Sequence, residues 1–507
     1  MTVLVVRSGE PFARAHVPLL DVHSARQRAL DARDAGHRLA ALFGVDQGAD
    51  GTLVVLTTAD DSLGELGLFS FRVPRADGAY PALTPEWTEA HLFERELAEQ
   101  FGVRPLGHPW LKPVRGERPL AGDVDLFAPP ADARTRLDAY PFLRAQSDEM
   151  HEVGVGPVHA GIIEPGHFRF LCHGETVHHL EISLGYQARG IERRLLQGPD
   201  VRTLALMENI AGDTVIGHGL SYCRAVDALA GVRASARATA IRAIALELER
   251  LSNHVGDLGM LAGDVGYLPA AAWFGRLRGE FLNLLMDLTG NRNGRGLLLP
   301  GGVRCDVDAA MATDFLQRLR VAQDDFARIA DLLFRAPSVM ARFENTGRVE
   351  REAAEDLGLV GPAARASGCA RDVRQDFAHG AFRFSHIPVA AVDTGDVAGR
   401  ALVRRLEAER SMDFVGELLS HLPAGAPRVE PGRLRAEAGV VVLTEGWRGE
   451  IVHVLLTDAS GRFARYKVVD PSFHNWTGLA LAMREQEISD FPLCNKSFNL
   501  SYAGHDL

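Results

Sequence analysis

The chain has 507 residues, 46% of them apolar and 24% charged, enough to bury large cores in roughly three domains by length alone. Asp and Glu number 66 against 55 Lys and Arg, and the acids are spread rather than blocked, which argues against a nucleic-acid surface. The five cysteines, Cys172, Cys223, Cys305, Cys369 and Cys494, form no C-x-x-C pair, so no disulfide framework and no sequence-local zinc or iron–sulfur motif is signalled, and a reducing cytoplasmic setting is expected.

The opening run MTVLVVRSGEPFARAHVPLL lacks the charged lead, apolar core and small-residue site of an export signal. No window of about 18 residues is apolar and free of charge, so any work at a membrane would depend on other subunits. Residues 1–130 mix β-like runs, GTLVVLTT and LGLFSFRVP, with SARQRALDARDAGHRLAALFG, which reads as helical, as in a small domain of mixed type. The stretch RGERPLAGDVDLFAPPADARTR is rich in Pro, Asp and Gly and reads as linker, with residues 131–150 bridging to the next domain. Residues 151–507 read as mainly helical, and the whole chain as α+β.

Along MENIAGDTVIGHGLSYCRAVDAL, Ala211, Thr214, His218 and Tyr222 share one helical face, yet nothing at its head is a strong ligand or nucleophile. Asp213 there has an ordinary first-turn explanation. In ATAIRAIALELERLSNHVGDL, Ile241, Ile244, Leu248, Leu251, Val255 and Leu258 recur at three and four, the seam of a bundle helix. Beside that seam runs a second stripe, Glu247, Arg250, His254 and Asp257, for which surface ion pairs are the plainer expectation and a semi-buried polar path the alternative. Arg365, Asp372 and Arg374 in RASGCARDVRQD suggest a structural ion-pair network around a tight turn at Gly368.

Several segments together carry a specific resemblance. ERELAEQFGVRPLGHPWLKPVR (Glu94 to Arg115) resembles the signature of the 30-kDa subunit of respiratory complex I. From residue 154 onward, GVGPVHAGIIEPGHFRF, GYQARGIERRL, LELERLSNHVGDLG, LLLPGGVRCDV, GPAARASGCARDVRQD and PSFHNW resemble the 49-kDa subunit of complex I and the large subunit of group 4 membrane-bound [NiFe] hydrogenases. The fused arrangement is similar to that of formate hydrogenlyase large subunits. The resemblance implies an N-terminal 30-kDa-like α/β domain and a C-terminal, mainly helical hydrogenase-type domain. It also implies a peripheral position on the cytoplasmic side of a membrane-bound oxidoreductase.

In those hydrogenases four thiolates hold nickel, and soft ligands are what such a centre requires. The resemblance lays the four positions on Ala211, Thr214, Ser501 and Gly504, so an active hydrogenase is not expected. Asp470 and Pro471 mimic the start of the second thiolate motif, but their place fits the P-S-F-H-N segment of complex I instead. Quinone reduction is the other chemistry of the superfamily, and the resemblance places its head-group tyrosine at or next to Gly212, where no phenol stands. His159 and His167 remain in the first hairpin and Asp264 matches the supporting acid, so His167, His159, Asp264 and His218 are the expected proton donors. His505 and Asp506 are expected to fill the space of the metal. No cofactor is expected on this chain itself. Iron–sulfur clusters are expected in a 20-kDa-like small subunit and a ferredoxin-like subunit, alongside membrane ion-translocating subunits, with a quinone as candidate acceptor. The alternative is a catalytically silent scaffold that couples such a complex.

Overall fold

The structure is a computed structural model that describes residues 2–75, 78–121, 125–128, 133, 136–145, 147–160 and 163–507. Near the N-terminus, strands Leu4–Val6, Glu65–Val73, Thr52–Asp60 and Arg38–Asp46 pair in that order, all antiparallel, and Leu19–Leu20 adds a short parallel pairing to Glu65–Val73. The run expected to be one helix divides. Helix Val22–Asp34 ends before Gly36, whose φ of 84° turns the chain, and the remainder becomes strand Arg38–Asp46. Both faces of that strand are buried, which hides the alternation that would have announced it.

Five long helices, Val215–Ala230, Ala236–Asp264, Leu268–Thr289, Ala309–Phe334 and Val397–Ser420, build the bundle of the C-terminal region. The seam residues Ile241, Ile244, Leu248, Leu251, Val255 and Leu258 lie on the second of these and are fully buried. Two antiparallel sheets flank the bundle. One has the order Thr176–Ser183, His167–His173, His151–Val155; the other has the order Phe463–Val469, Gly449–Thr457, Ala438–Gly446, Phe12–Ala13. Its last strand comes from the N-terminal region, so the two regions share a sheet.

They also share a core, in which Phe43, Phe69 and Phe93 pack with Val441, Val452 and Phe473. The charged helix His91–Phe101 is buried between the regions. Its Glu96 meets both Arg115 and Lys467, while Glu192 takes Arg465 at 2.8 Å and Lys467 at 3.3 Å. Burial would lift the Glu192 carboxyl, but the three nearby cations overcome it and hold the group down at about 2. Of the expected linker, part lies outside the described residues; the described part includes helix Arg136–Ala139 and the packed, buried rings of Tyr140 and Phe142, 4.5 Å apart.

Candidate functional site

The turn Ala211 to Thr214 immediately precedes helix Val215–Ala230. Its helix start is not capped by its own side chains. Instead Glu249, from helix Ala236–Asp264, accepts the free backbone N–H groups of Ile216 at 2.6 Å and Gly217 at 3.0 Å. Burial outweighs those bonds and lifts the Glu249 carboxyl to about 8. Asp213 is not a cap either. It takes a two-pronged ion pair from Arg448 at 2.5 and 2.7 Å, while its carbonyl accepts from Trp447 and Asn253. The Arg448 guanidinium lies 3.9 Å from the centre of the Trp447 ring, a packed and oriented cation–π contact.

On the far side of that turn, His218 begins a single file of buried polar groups. Its Nε2 lies 3.0 Å from Asp470 Oδ2 and its Nδ1 lies 3.1 Å from His453 Nε2. His453 Nδ1 in turn lies 2.9 Å from the Tyr466 hydroxyl. All four residues are essentially sealed from solvent. Only one direction satisfies every donor when both imidazoles are neutral: Tyr466 donates to His453, His453 to His218, and His218 to the Asp470 carboxylate. Burial and the neighbouring His218 push His453 well below the ordinary histidine value, in keeping with its neutral place in the file. Burial works against an ionised Asp470, but the His218 bond and the Arg448 charge prevail and hold its carboxyl below the ordinary range.

Local structure explains the file. Asp470 caps helix Pro471–Ala482 by accepting Ser472 N–H at 2.8 Å, with Pro471 at the first turn. His453 and Tyr466 sit on adjacent strands of the four-stranded sheet. Side-chain alternation along Phe463–Val469 sends Tyr466 to the file and its neighbours Arg465 and Lys467 to the ionic junction with the N-terminal region.

The Asp470 carboxyl also abuts the chain terminus. A Cβ placed on Gly504 would lie 2.6 Å from Asp470 Cγ, so this position accommodates little beyond hydrogen while Asp470 stays in its cap. Ser501 caps helix Tyr502–Asp506 through Gly504 N–H at 2.8 Å, and the Thr214 hydroxyl receives Arg448 at 3.3 Å and donates to the Asp213 carboxylate at 3.3 Å. Ala211, Thr214, Ser501 and Gly504 thus supply a methyl, two hydroxyls and a hydrogen. A donor set without a thiolate does not fit a nickel–iron centre.

The other residues singled out from sequence are placed elsewhere. His159 donates to the Gly166 carbonyl at 2.8 Å, and His167 donates to that of Gly156 at 3.0 Å while receiving Arg169 Nε at 3.3 Å. Both imidazoles therefore close the hairpin on itself. Asp264 pairs with Lys496 at the surface end of its helix. Neither His167 nor Asp264 hydrogen-bonds His218. Asp506 accepts the N–H groups of Gly185 and Gln187, and the His505 ring stacks on Phe473.

The stripe Glu247, Arg250, His254 and Asp257 is not a surface feature: all four are buried to 1% exposure or less. Counter-charges arrive from other elements, which a helical wheel cannot reveal. Glu407 accepts from His254 at 2.8 Å and Arg365 at 2.8 Å, Arg365 also meets Glu445 at 2.8 Å, and Arg374 joins Glu247 to Asp372. Missed altogether were Asp470, set aside with the P-S-F-H-N segment, together with His453, Tyr466 and Arg448. The available signal was a histidine inside the otherwise apolar strand run IVHVLL.

This architecture, a mixed N-terminal sheet domain on a helical bundle, is that of a large subunit of a membrane-bound oxidoreductase complex. Residues 16–118 match the family described as respiratory-chain NADH dehydrogenase, 30 Kd subunit, and residues 264–437 the 49 Kd subunit. Formate hydrogenlyase subunit 5 of Escherichia coli (strain K12) is 30% identical over 84% of this chain and 77% of its own length. NADH-quinone oxidoreductase subunit 4 of Thermus thermophilus is 27% identical over 73% of this chain and 94% of its own. The solved structure of an archaeal membrane-bound sulfane sulfur reductase contains a chain that superposes with a TM-score of 0.67 at 23% identity, covering 72% of this chain and all of that one. The chain belongs to the family of fused 30-kDa and 49-kDa NADH dehydrogenase subunits and membrane-bound hydrogenase large subunits. Among the described residues no helix is long and apolar enough to cross a membrane.

Proposed function

We propose that this chain is the catalytic large subunit of a membrane-bound, energy-converting complex in which proton delivery along a carboxylate–imidazole file has replaced nickel chemistry. The observation that carries the reading is the Asp470–His218–His453–Tyr466 file, which ends in the space that a side chain at position 504 would need. Electrons arrive from a 20-kDa-like iron–sulfur subunit fed by a ferredoxin-like subunit. A quinone-type acceptor takes them beside Asp213, Arg448 and Asp470, on the cytoplasmic side of the membrane, with ion-translocating subunits below. His218 passes protons, while His159, His167 and Asp264 support the hairpin and helix end that frame the site. Relay of this kind requires imidazoles in hydrogen-bond contact and an anionic terminus, and the His218–His453 contact and the lowered Asp470 carboxyl support it.

A second reading, a catalytically silent coupling subunit, draws on the tight Asp213–Arg448 pair and its packing on Trp447, which fill the turn. Metal analysis of the purified complex, with quinone-reduction and hydrogen-uptake assays on wild type and His218→Gln, separates them. The proposal expects no nickel, no hydrogen uptake, and quinone turnover that falls in the variant. Turnover absent from both proteins would favour the silent reading, and one nickel per chain at the turn would end both.

A further inference from the structure

A groove lies along helix Val215–Ala230, where Leu220 and Arg224 follow His218 in the chain but share no hydrogen bond with the Asp470 file. It has a volume of about 870 Å³ and opens to solvent between the N-terminal Ser8–Gly9 turn, this helix, the start of helix Ala236–Asp264 and the segment His379–Ser385. Its charges do not balance. Arg224, Arg233, Arg242 and Arg383 line it, and Asp227 is the acid that faces them. That acid is already taken: it pairs with Arg242 at 2.8 Å and accepts Gly301 N–H.

The remaining three guanidiniums have no carboxylate ion pair among the described residues. Arg224 donates only to the Leu443 carbonyl and to the Thr444 and Ser8 hydroxyls. Arg383 reaches the Ala378 carbonyl at 3.1 Å. Burial, together with Arg383 and Arg242, pulls the Arg224 guanidinium down to about 9, the mark of a cation lacking its counter-ion.

His379 supplies an independent observation. It is 93% buried in the cavity wall, given its 7% exposure, and its Nε2 has no hydrogen-bond partner. Burial and the charges of Arg224, Arg383 and Arg242 press it well below the ordinary histidine value. Buried polar atoms without partners are rare, and this one lies in the wall behind guanidiniums that no carboxylate pairs.

We propose that this groove is a binding site for a phosphate-type anion bearing more than one charge, held by Arg224, Arg233 and Arg383. Planar guanidinium forks match phosphate oxygens two at a time, which is why the chemistry favours phosphate over a single carboxylate. The concave shape, with walls from several chain segments, is that of a small-ligand pocket rather than a flat partner face.

Calorimetric titration of inorganic pyrophosphate into the full chain and into the assembled complex tests this, with Arg233→Gln/Arg383→Gln as the variant. Both substituted residues are exposed, so thermal melting should show the fold intact. Saturable binding of one pyrophosphate per chain, weakened about tenfold or more by the double substitution, is the expected result. Absent saturation, or equal binding by the variant, would overturn the proposal. Binding by the isolated chain that vanishes in the complex would assign the cavity to an acidic segment of a partner subunit, and would overturn it as well.

Discussion

The file from Tyr466 to Asp470 and the network around Glu407 are both buried and polar, the first joining one bundle helix to two strands and a helix cap and the second bracing helices to each other, and they differ in how each member is held. Within the network partners are redundant: Glu407 serves His254, Arg365 and Arg250, and Arg365 is shared between Glu407 and Glu445. In the file each imidazole has one neighbour on either side and no alternative. Redundancy braces helices against each other, because losing one contact leaves others in place. A single file instead gives a proton one route, so any break in it interrupts transfer.

The strongest way to break this comparison is Glu407→Ala. It removes the hydrogen-bond partner of His254 and one acid each from Arg365 and Arg250, which keep Glu445 and Glu247, and because all of these groups are buried a loss of about 3 kcal/mol in denaturant unfolding is expected. A loss under about 1 kcal/mol would mean the network does not brace the bundle. Next comes Gly504→Cys, which drives a side chain into the Asp470 carboxyl. It should cost about 1–3 kcal/mol, read as a lower melting temperature, without creating a nickel site.

Glu249 sharpens the contrast through pH. Its folded-state value of about 8 exceeds the ordinary 4.5, so the folded chain keeps a proton that the unfolded chain releases in between. Its contribution to stability is therefore fully present below about 4.5 and is lost as pH rises through 8, by up to about 1.4 kcal/mol per unit. Glu249→Gln should flatten that slope in urea midpoints measured from pH 5 to 8; an unchanged slope would assign the proton to another group. The smallest effect belongs to Asp264→Asn, whose Lys496 partner is 36% exposed. A change below about 1 kcal/mol is expected from melting curves, and a larger one would place Asp264 in the working site.

Much of the fold was legible because long-period apolar patterns survive in a single sequence. The seam from Ile241 to Leu258 announced its helix, and the segments shared with complex I and the hydrogenases announced both halves of the chain. Strand Arg38–Asp46 was not legible, because burial on both faces erases alternation. The stripe beside the seam was misplaced to the surface, since charge on a helix looks the same whether water or Arg365 and Glu407 surround it. Of the site, His218 was singled out and its partners were not. Asp470, His453 and Tyr466 lie more than 230 positions away, on a cap and two strands that only the folded chain brings to that helix.

Turnover of the assembled complex carrying Asp470→Asn tests the central claim most directly. The amide keeps the size of the carboxylate but removes the anion that orders the file and receives its proton. With assembly and metal content unchanged, quinone reduction is expected to fall about 100-fold or more. Wild-type turnover in that variant would contradict the claim that proton delivery through Asp470 and His218 drives this subunit's chemistry.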